Sequence, residues 1–386
     1  MPALHHLNRR AMLGLGLAAL TGCTARTVAT PPPGAAPASL QLLGTATLPY
    51  RMAFQGTTVG GLSGIDYDPA SGLYALISDD RSALQPARIY TARIALDAQG
   101  LGTPELASVI TLQRANGQPW PSSRTALHGD EIPDPEAVRW RHHGGQTTLL
   151  WTTEGDLAHG FGPRMRETRL DGSLARTFVP PAMFAPSTDE HSGPRDNKGF
   201  EGLALTPDGS MAWLAMEGAL VQDGPLPTAT APGGPCRLTC IDLAGSGRAV
   251  RQIAYIPDAL PHAPLLPGGM ADNGISEILM LGRYQMLVLE RSYVLGHGVS
   301  LRLYRIDTRR ASNTLNLPTL TADNHQPAAK TLLADFATLG LPLLDNTEGM
   351  TWGPVLPDGR ATLVVVSDDN FNPLQTTQFA AFAFAT

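Results

Sequence analysis

Charged side chains are scarce in this chain: they make up 16% of its 386 residues, against roughly 25% in an average soluble protein. Aromatic residues contribute only 6%. This composition is not that of a coiled coil or of an acidic disordered chain. The net charge is −6, so the sequence shows no electrostatic footprint for DNA or RNA, and a highly basic nucleic-acid-binding protein is excluded.

The chain also lacks a hydrophobic run of the roughly 20 residues that a membrane-spanning helix needs. A shorter apolar stretch, residues 11–20, follows the pair Arg9-Arg10 and leads into Leu20-Thr-Gly-Cys23. A run of this length suits an export signal. Its end resembles a bacterial lipoprotein box with Cys23 as the lipidated residue, and the arginine pair is similar to a twin-arginine signal. The alternative is an ordinary secretory signal with a chance cysteine.

We therefore predict a lipoprotein-type signal over residues 1–23 and a flexible tether, rich in Thr, Ala and Pro, over residues 24–39. The protein is expected outside the cytoplasm, in the periplasm or on the cell surface, and lipid-anchored to a bacterial membrane.

Cysteine is rare as well, with Cys236 and Cys240 as the only two besides Cys23. An oxidising compartment would permit a disulfide between them. If both lay in one extended strand, their Cα atoms would be roughly 13 Å apart, which is too far for a disulfide. The pairing therefore depends on whether Cys236 lies in the preceding loop, and both outcomes remain open. A zinc site would need further ligands nearby, and the sequence has none there.

Glycine and proline, by contrast, are abundant, at 40 and 33 residues. Both are disfavoured inside helices and common at turns and strand ends. Hydrophobic residues make up 43% of the chain, which is enough for a large core. We predict an all-β fold.

Five related passages recur at intervals of 65 to 75 residues. Each has a Ser or Glu, then usually a small residue, then a large apolar one, and another apolar residue two positions on. A spacing of two places these side chains on one face of a strand. The five polar positions are Ser63, Glu136, Glu201, Ser276 and Glu348.

A turn and a second strand follow each passage. The predicted second strands are Leu73–Ser78, Thr147–Thr153, Met211–Met216, Gln285–Leu289 and Ala361–Ser367. Five such units fill residues 40–386, except that the last unit lacks one strand, which Leu40–Leu48 can supply. We predict a single five-bladed β-propeller whose ring is closed by this N-terminal strand in the C-terminal blade, because closure removes exposed sheet edges. Six blades are the alternative if one repeat has diverged.

The five polar positions are expected to form one ring around the central channel, since the first strand of each propeller blade lines it. Three converging carboxylates would repel one another and have raised pKa values. A Ca²⁺ ion resolves this conflict because it accepts six to eight oxygen ligands in a flexible arrangement. We predict Ca²⁺ as the cofactor, with these ligands: Ser63, Glu136, Glu201, Ser276 and Glu348. The alternative is that these side chains begin a strand and face solvent.

A second set of acids lies at or just after the ends of the second strands, next to the same mouth of the channel. Cationic side chains are interleaved with them, and acids, a bound metal and arginine together are typical of phosphate-binding sites. The predicted catalytic residues are Asp79, Asp80, Glu217, Glu290 and Asp368. The predicted substrate-binding residues are Arg81, Lys198 and Arg291. The alternative is that the acids are solvated turn residues.

The ring positions resemble the axial calcium site of the calcium-activated nucleotidases, which are five-bladed propellers with one ligand per blade. Residues 40–386 more closely resemble the bacterial phytase-like domain, a propeller family described as "esterase-like activity of phytase". The resemblance rests on Phe200-Glu-Gly-Leu, Leu289-Glu-Arg-Ser and Asn346-Thr-Glu-Gly.

This resemblance implies a Ca²⁺-dependent hydrolase of phosphate esters or anhydrides that acts as a monomer on a small, phosphorylated substrate. Few cations cluster in the sequence, which disfavours a highly phosphorylated substrate. Two alternatives remain: a non-catalytic surface binding module with a structural axial Ca²⁺, and a lactonase or esterase-type hydrolase. A classical serine esterase lacks support because no Gly-x-Ser-x-Gly motif occurs.

Overall fold

The computed structural model describes residues 39–187 and 191–385. The predicted signal, its lipidated Cys23 and the tether up to residue 38 lie outside the described residues. Within the described part of the chain, no helix is long and apolar enough to span a bilayer.

Five four-stranded antiparallel sheets form the blades of a β-propeller. In blades 1 to 4 the strands follow one another in sequence from the axis outward. Blade 1 comprises Leu62–Asp68, Leu73–Ser78, Arg88–Arg93 and Glu105–Thr111. Blade 2 comprises Pro135–His143, Gln146–Thr153, Arg164–Arg169 and Leu174–Phe178. Blade 3 comprises Phe200–Leu205, Met211–Met216, Cys236–Asp242 and Ala249–Tyr255. Blade 4 comprises Ala271–Met280, Gln285–Val294, Gly298–Asp307 and Lys330–Asp335.

Blade 5 is built from both ends of the propeller. From the axis outward its strands are Thr347–Trp352, Ala361–Ser367, Gln378–Ala385 and the N-terminal strand Ser39–Thr47. Ser39 lies opposite Ala385 and Thr47 opposite Gln378. The predicted closure of the ring is therefore confirmed, with five blades and not six.

The remaining elements are short. Two additional hairpins pair Ala53–Phe54 with Thr57–Thr58 and Leu96–Asp97 with Gly100–Leu101. One-turn 3₁₀ helices occur at Leu157–His159, Ala182–Phe184, Val221–Asp223, Thr308–Arg310 and Phe336–Thr338.

The two faces of the propeller differ in their connections. Inner strands begin, and second strands end, at the face that we call the upper face. The links between successive blades and the hairpins between second and third strands all lie there. The lower face carries the hairpins between first and second strands and those between third and fourth strands.

The small residue of the repeat is explained by close packing of the blades near the axis. A Cβ atom on Gly64 would lie 2.4 Å from the carbonyl oxygen of Glu136, and one on Gly349 would lie 2.9 Å from the nitrogen of Ile65. Neither approach is sterically possible, so these positions require glycine.

Cys236 and Cys240 both lie in the third strand of blade 3, and both are free and buried. This placement excludes a disulfide between them, because the Cα atoms of two residues four positions apart in a strand are too far apart.

Candidate cation and substrate site

Every inner strand has a β-bulge at the polar position of the repeat. In blade 1, Leu62 pairs with Ser78 and Gly64 with Ile77, which leaves Ser63 without a partner in the ladder. The equivalent residues of the other blades are bypassed in the same way: Glu136 with its neighbour Ala137, Glu201, Ser276 and Glu348. Bulges bend a strand and redirect a side chain. They turn the three glutamates into one cavity.

This cavity opens at the upper face and has a volume of about 240 Å³. It is lined almost entirely by carboxylates, amides and guanidinium groups. The lining residues are Asp79, Arg81, Asp134, Glu136, Glu154, Asn197, Glu201, Arg291, Asn346, Glu348 and Asn370. The structure thus brings Glu136, Glu201 and Glu348 together with Asp79, Arg81 and Arg291 in this cavity.

A second set of side chains, which we call the second tier, comes from one position at the upper end of each second strand. This position lies opposite the residue two places before the bulge. The backbone nitrogens of Asp79, Glu154, Glu217 and Asp368 donate to carbonyl oxygens two residues before the bulge, at 2.8 to 3.0 Å. In blade 4 the residue in this register is Arg291, opposite Gly274. Blade 4 therefore contributes a cation where the other four blades contribute an acid.

Glu290 is one position out of this register, and successive strand residues face opposite sides of the sheet. Its carboxylate accepts hydrogen bonds from Tyr255 Oη at 2.6 Å and Asn273 Nδ2 at 3.1 Å, and it forms a salt bridge with Lys330. Both carboxylate oxygens of Glu290 are therefore bonded to residues outside the cavity. The predicted position of Glu290 at the channel mouth is corrected by this geometry.

Asp80 is also placed elsewhere. Its carboxylate forms a buried salt bridge with Arg88 and accepts hydrogen bonds from the backbone nitrogens of Leu84 and Gln85 at 2.8 and 3.1 Å. Asp80 therefore stabilises the hairpin that follows Asp79, and the structure does not bring it into the cavity.

Three cations flank the acids. Arg291 Nη1 donates to Asn346 Oδ1 at 2.9 Å, and its Nη2 lies 3.1 Å from Glu217 Oε1 and 3.6 Å from Glu348 Oε1. Lys198 Nζ lies 2.7 Å from Glu217 Oε2. Arg81 is the most accessible of the three, with 40% of its side chain exposed, and it contacts Asp156 at 3.0 Å.

Acids outnumber these cations by eight to three, which leaves five negative charges uncompensated if all eight are ionised. The eight are Asp79, Asp134, Glu136, Glu154, Glu201, Glu217, Glu348 and Asp368. Burial raises the pKa of Glu136, Glu154 and Glu201 well above the usual range, and the neighbouring carboxylates raise it further. Burial also raises the pKa of Asp134, to about 7, although Arg81 lowers it. Without a bound cation, burial and mutual repulsion of the ionised carboxylates destabilise the folded protein.

The donors fit a hard cation. Two groups of carboxylates each have oxygens within 4.8 Å of one another: Asp134, Glu136 and Glu154 in one, and Glu154, Glu201 and Glu217 in the other. Ser276 Oγ and Asp368 Oδ2 are buried without a hydrogen-bond partner among the described residues. An all-oxygen set of this kind suits Ca²⁺. Glu154 belongs to both groups and is therefore central to the site.

The predicted serine ligands differ in their surroundings. Ser63 Oγ donates to the carbonyl oxygens of Pro135 and Glu136 at 3.1 and 2.9 Å. Its hydroxyl thus ties blade 1 to blade 2, whereas the Ser276 hydroxyl has no such contact. Neither serine lines the cavity, so the predicted ring of five ligands is corrected to its three glutamates. The acid-rich part of the site lies toward blades 2 and 3.

Arg139 closes the channel below the cavity. Its Nη2 lies 2.7 Å from Glu277 Oε2, and both side chains are buried. The guanidinium also donates to carbonyl oxygens of four blades at 2.7 to 3.2 Å, those of Ile65, Val138, Ile278 and Met350. The blades are therefore held together on the axis by a cation that belongs to the chain itself.

The rim of the cavity contains unusual backbone conformations. Arg81, Asn197 and Asn370 have φ values of 52°, 53° and 47°. Left-handed backbone is uncommon outside glycine, and such residues concentrate at functional sites. Three loops from different blades thus adopt left-handed backbone at the residues whose polar side chains lie at the rim.

Asp134 and Asn346 are the main lining residues that the sequence reasoning missed. Both precede the bulge by two residues and so share its face of the strand. The equivalent positions in the other blades are Gly61, Gly199 and Gly274, where a Cβ atom would lie 2.2 to 2.6 Å from the second-tier acids. The signal was therefore present in the repeat as polar residues at a position that is otherwise glycine.

The fold and the site together define a five-bladed β-propeller with an acidic cavity on its axis. The chain belongs to the phytase-like family described as "Esterase-like activity of phytase", whose family model matches residues 57–371. A search of curated proteins gave no significant match.

The structure is also similar to solved structures of low sequence identity. An α-L-arabinofuranosidase from Lactobacillus brevis is 8% identical, with 84% of this chain and 91% of that chain covered and a TM-score of 0.43. For a xylan β-1,4-xylosidase from Bacillus halodurans C-125 the identity is 11%, the coverages are 88% and 54%, and the TM-score is 0.43. Identities this low carry no information about substrate.

Proposed function

We propose that this chain is a Ca²⁺-dependent hydrolase of phosphate esters or anhydrides. The observation that carries the proposal is the convergence of six carboxylates and two arginines on one cavity at the upper face, with Glu217 beside them. Membership of the phytase-like family supports a hydrolase.

The acidic residues would bind the ion, and the arginines would bind the phosphate. A bound Ca²⁺ would neutralise phosphate oxygens and lower the pKa of attacking water. Glu136, Glu154 and Glu201 would hold the ion, because Glu154 has oxygens within 4.8 Å of those of both other residues. Arg81 and Arg291 line the same cavity and would bind the remaining phosphoryl oxygens through their planar donors. Asp134 lines the same cavity beside Glu136 and would accept a proton from the attacking water.

The cavity volume favours a substrate with one phosphoryl group inside. About 240 Å³ is below the range of roughly 300 to 1,000 Å³ typical of pockets that enclose a whole ligand. The organic part of the substrate would then remain above the rim, which fits the small number of cations.

A purely structural role for Ca²⁺ is less well supported by the geometry. Arg139 already joins carbonyl groups of four blades on the axis. The acids above it are therefore not needed to hold the ring closed, although a bound ion would still add stability by mass action.

The proposal is tested by measuring hydrolysis of a panel of phosphomonoesters, phosphoanhydrides and lactones with Ca²⁺ or with EDTA. We expect phosphate release that requires Ca²⁺ and is lost in Glu154→Gln. Hydrolysis of lactones alone would support the lactonase alternative. A protein that binds Ca²⁺ but hydrolyses nothing in the panel would support the binding module.

The same Ca²⁺ should stabilise the fold. At about 100 times its dissociation constant it should add ~2.7 kcal/mol to the free energy of unfolding. Glu201→Gln keeps the size of the side chain but removes one charge, so it should weaken Ca²⁺ binding and reduce that gain. The measurement is thermal unfolding against Ca²⁺ concentration.

Glu105→Gln is the matched control, because Glu105 is exposed on the outer strand of blade 1. Its Ca²⁺ response should equal that of the wild type. A melting temperature that ignores both Ca²⁺ and EDTA would show that the cavity holds no such ion.

We further propose that the chain is exported and anchored through Cys23. The support is the short apolar run after Arg9-Arg10 and the Leu20-Thr-Gly-Cys23 ending. Cys23→Ala should remain unlipidated and leave the membrane fraction on cell fractionation. Equal membrane retention of Cys23→Ala and the wild type would contradict the anchor.

A further inference from the structure

Most of the exposed large apolar side chains lie on the upper face, which also has the longer connections. Of the thirteen large hydrophobic residues that are exposed in the described part of the chain, eight belong to upper-face connections. They are Tyr50, Leu127, Val179, Leu265, Leu266, Met270, Leu343 and Leu374. The lower face has three, Leu170, Tyr284 and Val355, and the outer strands have two. Isolated exposed apolar residues are ordinary, but Leu265, Leu266 and Met270 lie in one loop and together expose apolar surface.

Several stretches within the upper-face connections contain no Asp, Glu, Lys or Arg. The charge-free stretches of the upper face are residues 224–235, 259–270, 336–344 and 370–378. Within them Leu374 is 91% exposed, Met270 72% and Leu266 64%. Apolar tips without neighbouring charges suit insertion into an apolar medium.

Blade 4 forms a ridge on this face. Its second and third strands, Gln285–Val294 and Gly298–Asp307, have ten residues each, whereas Leu73–Ser78 of blade 1 has six. The loop of residues 259–270 is fixed to the tip of this hairpin. The nitrogen of Leu265 donates to the carbonyl oxygen of Leu295 at 3.2 Å, and the nitrogen of Leu295 donates to that of Met270 at 2.8 Å. Leu265 and Leu266 are thus presented on a supported projection.

We propose that the upper face binds a lipid surface of zwitterionic headgroups, with Leu265, Leu266, Met270 and Leu374 inserted among the lipids. The apolar residues come from separate loops around a polar cavity, so they fit a fluid surface that accepts several insertions. The charge pattern fits zwitterionic lipid, since the inserting loops carry no cations and the chain has a net charge of −6. Binding therefore depends on apolar insertion and needs no enzymatic activity.

The test uses residues 24–386, which lack the predicted signal and lipidation site but contain every strand of the five blades. This protein should sediment with phosphatidylcholine vesicles, and high salt should not release it. The double variant Leu265→Ser, Leu266→Ser and the single variant Leu374→Ser should each lose about tenfold or more in vesicle partitioning, because apolar insertion supplies the affinity.

Val355→Ser is the matched control, since Val355 is 67% exposed but lies on the lower face. It should bind vesicles like the wild type. Three results would overturn the proposal: no sedimentation of the unchanged protein, an equal loss in Val355→Ser, or binding that requires anionic lipid and disappears in high salt. Light scattering without vesicles should show the same mass for all variants. A change of oligomeric state in the leucine variants would assign the face to protein contacts instead.

Discussion

Replacing Arg139 with methionine should destabilise the propeller by about 3–5 kcal/mol, the usual cost of removing one partner of a buried ion pair. The variant leaves Glu277 buried without its cation. It also leaves four carbonyl groups on the axis without their donor. The measurement is the urea midpoint and the free energy of unfolding, taken with and without Ca²⁺.

Two further variants separate the axial contact from a general loss of charge. Arg309→Met removes an arginine that is 59% exposed and pairs with Asp307 at the surface, so it should leave the free energy of unfolding close to that of the wild type. The double variant Arg139→Met, Glu277→Gln should be more stable than Arg139→Met alone, because it no longer buries an uncompensated charge. If Arg139→Met unfolds within about 1 kcal/mol of the wild type, the axial arginine does not hold the blades together.

Deletion of Leu40–Leu48 should cause aggregation or loss of the folded state. The deletion removes the outer strand of blade 5 and exposes the backbone of Gln378–Ala385. That strand reads QFAAFAFA and has no charge, so its free edge has the composition of an aggregation-prone segment. The deletion also removes Leu40 and Leu42 from the core of blades 4 and 5. Size-exclusion chromatography and thermal unfolding measure the effect.

Deletion of residues 24–38 is the control, because it removes the predicted tether and leaves every strand in place. This shorter chain should elute as a monomer and unfold at the wild-type temperature. A soluble, monomeric Leu40–Leu48 deletion with unchanged stability would contradict the role of the closing strand.

The blade count and most strand bounds could be predicted from sequence because the repeat is encoded locally. The second strands Leu73–Ser78, Met211–Met216 and Ala361–Ser367 are observed with the predicted bounds. The polar position of the repeat was also visible, because a bulge that turns one side chain into the channel needs a polar residue at a fixed place in each unit.

Register was harder to predict. In blade 4 the second strand continues to Val294 instead of ending at Leu289, and nothing in the local sequence marks where an acid falls relative to the bulge. Glu290 was therefore assigned to the mouth in place of its neighbour Arg291, although Arg291 was recognised as a cation of the site.

Side-chain contacts that depend on the folded loops and the closed ring could not be predicted at all. Asp80 looks equivalent to Asp79 in sequence, and only the loop that brings Arg88 beside it removes it from the cavity. Likewise, Arg139 fits the alternation of polar and apolar residues in its strand, and the sequence gives no other sign of its role. Its role depends on the carbonyl groups of three other blades that the closed ring brings to the axis.

The pairing of Ser39–Thr47 with Gln378–Ala385 also determines when the protein can finish folding during its synthesis. The first strand leaves the ribosome more than 300 residues before its partner exists. At roughly 5–20 residues per second, it waits on the order of 15 to 70 seconds without a sheet to join. Any product that stops before residue 378 lacks the partner of this strand and keeps an open ring. The last step of folding therefore requires translation through Gln378–Ala385, and shorter products carry an exposed edge that quality-control proteases and chaperones can recognise.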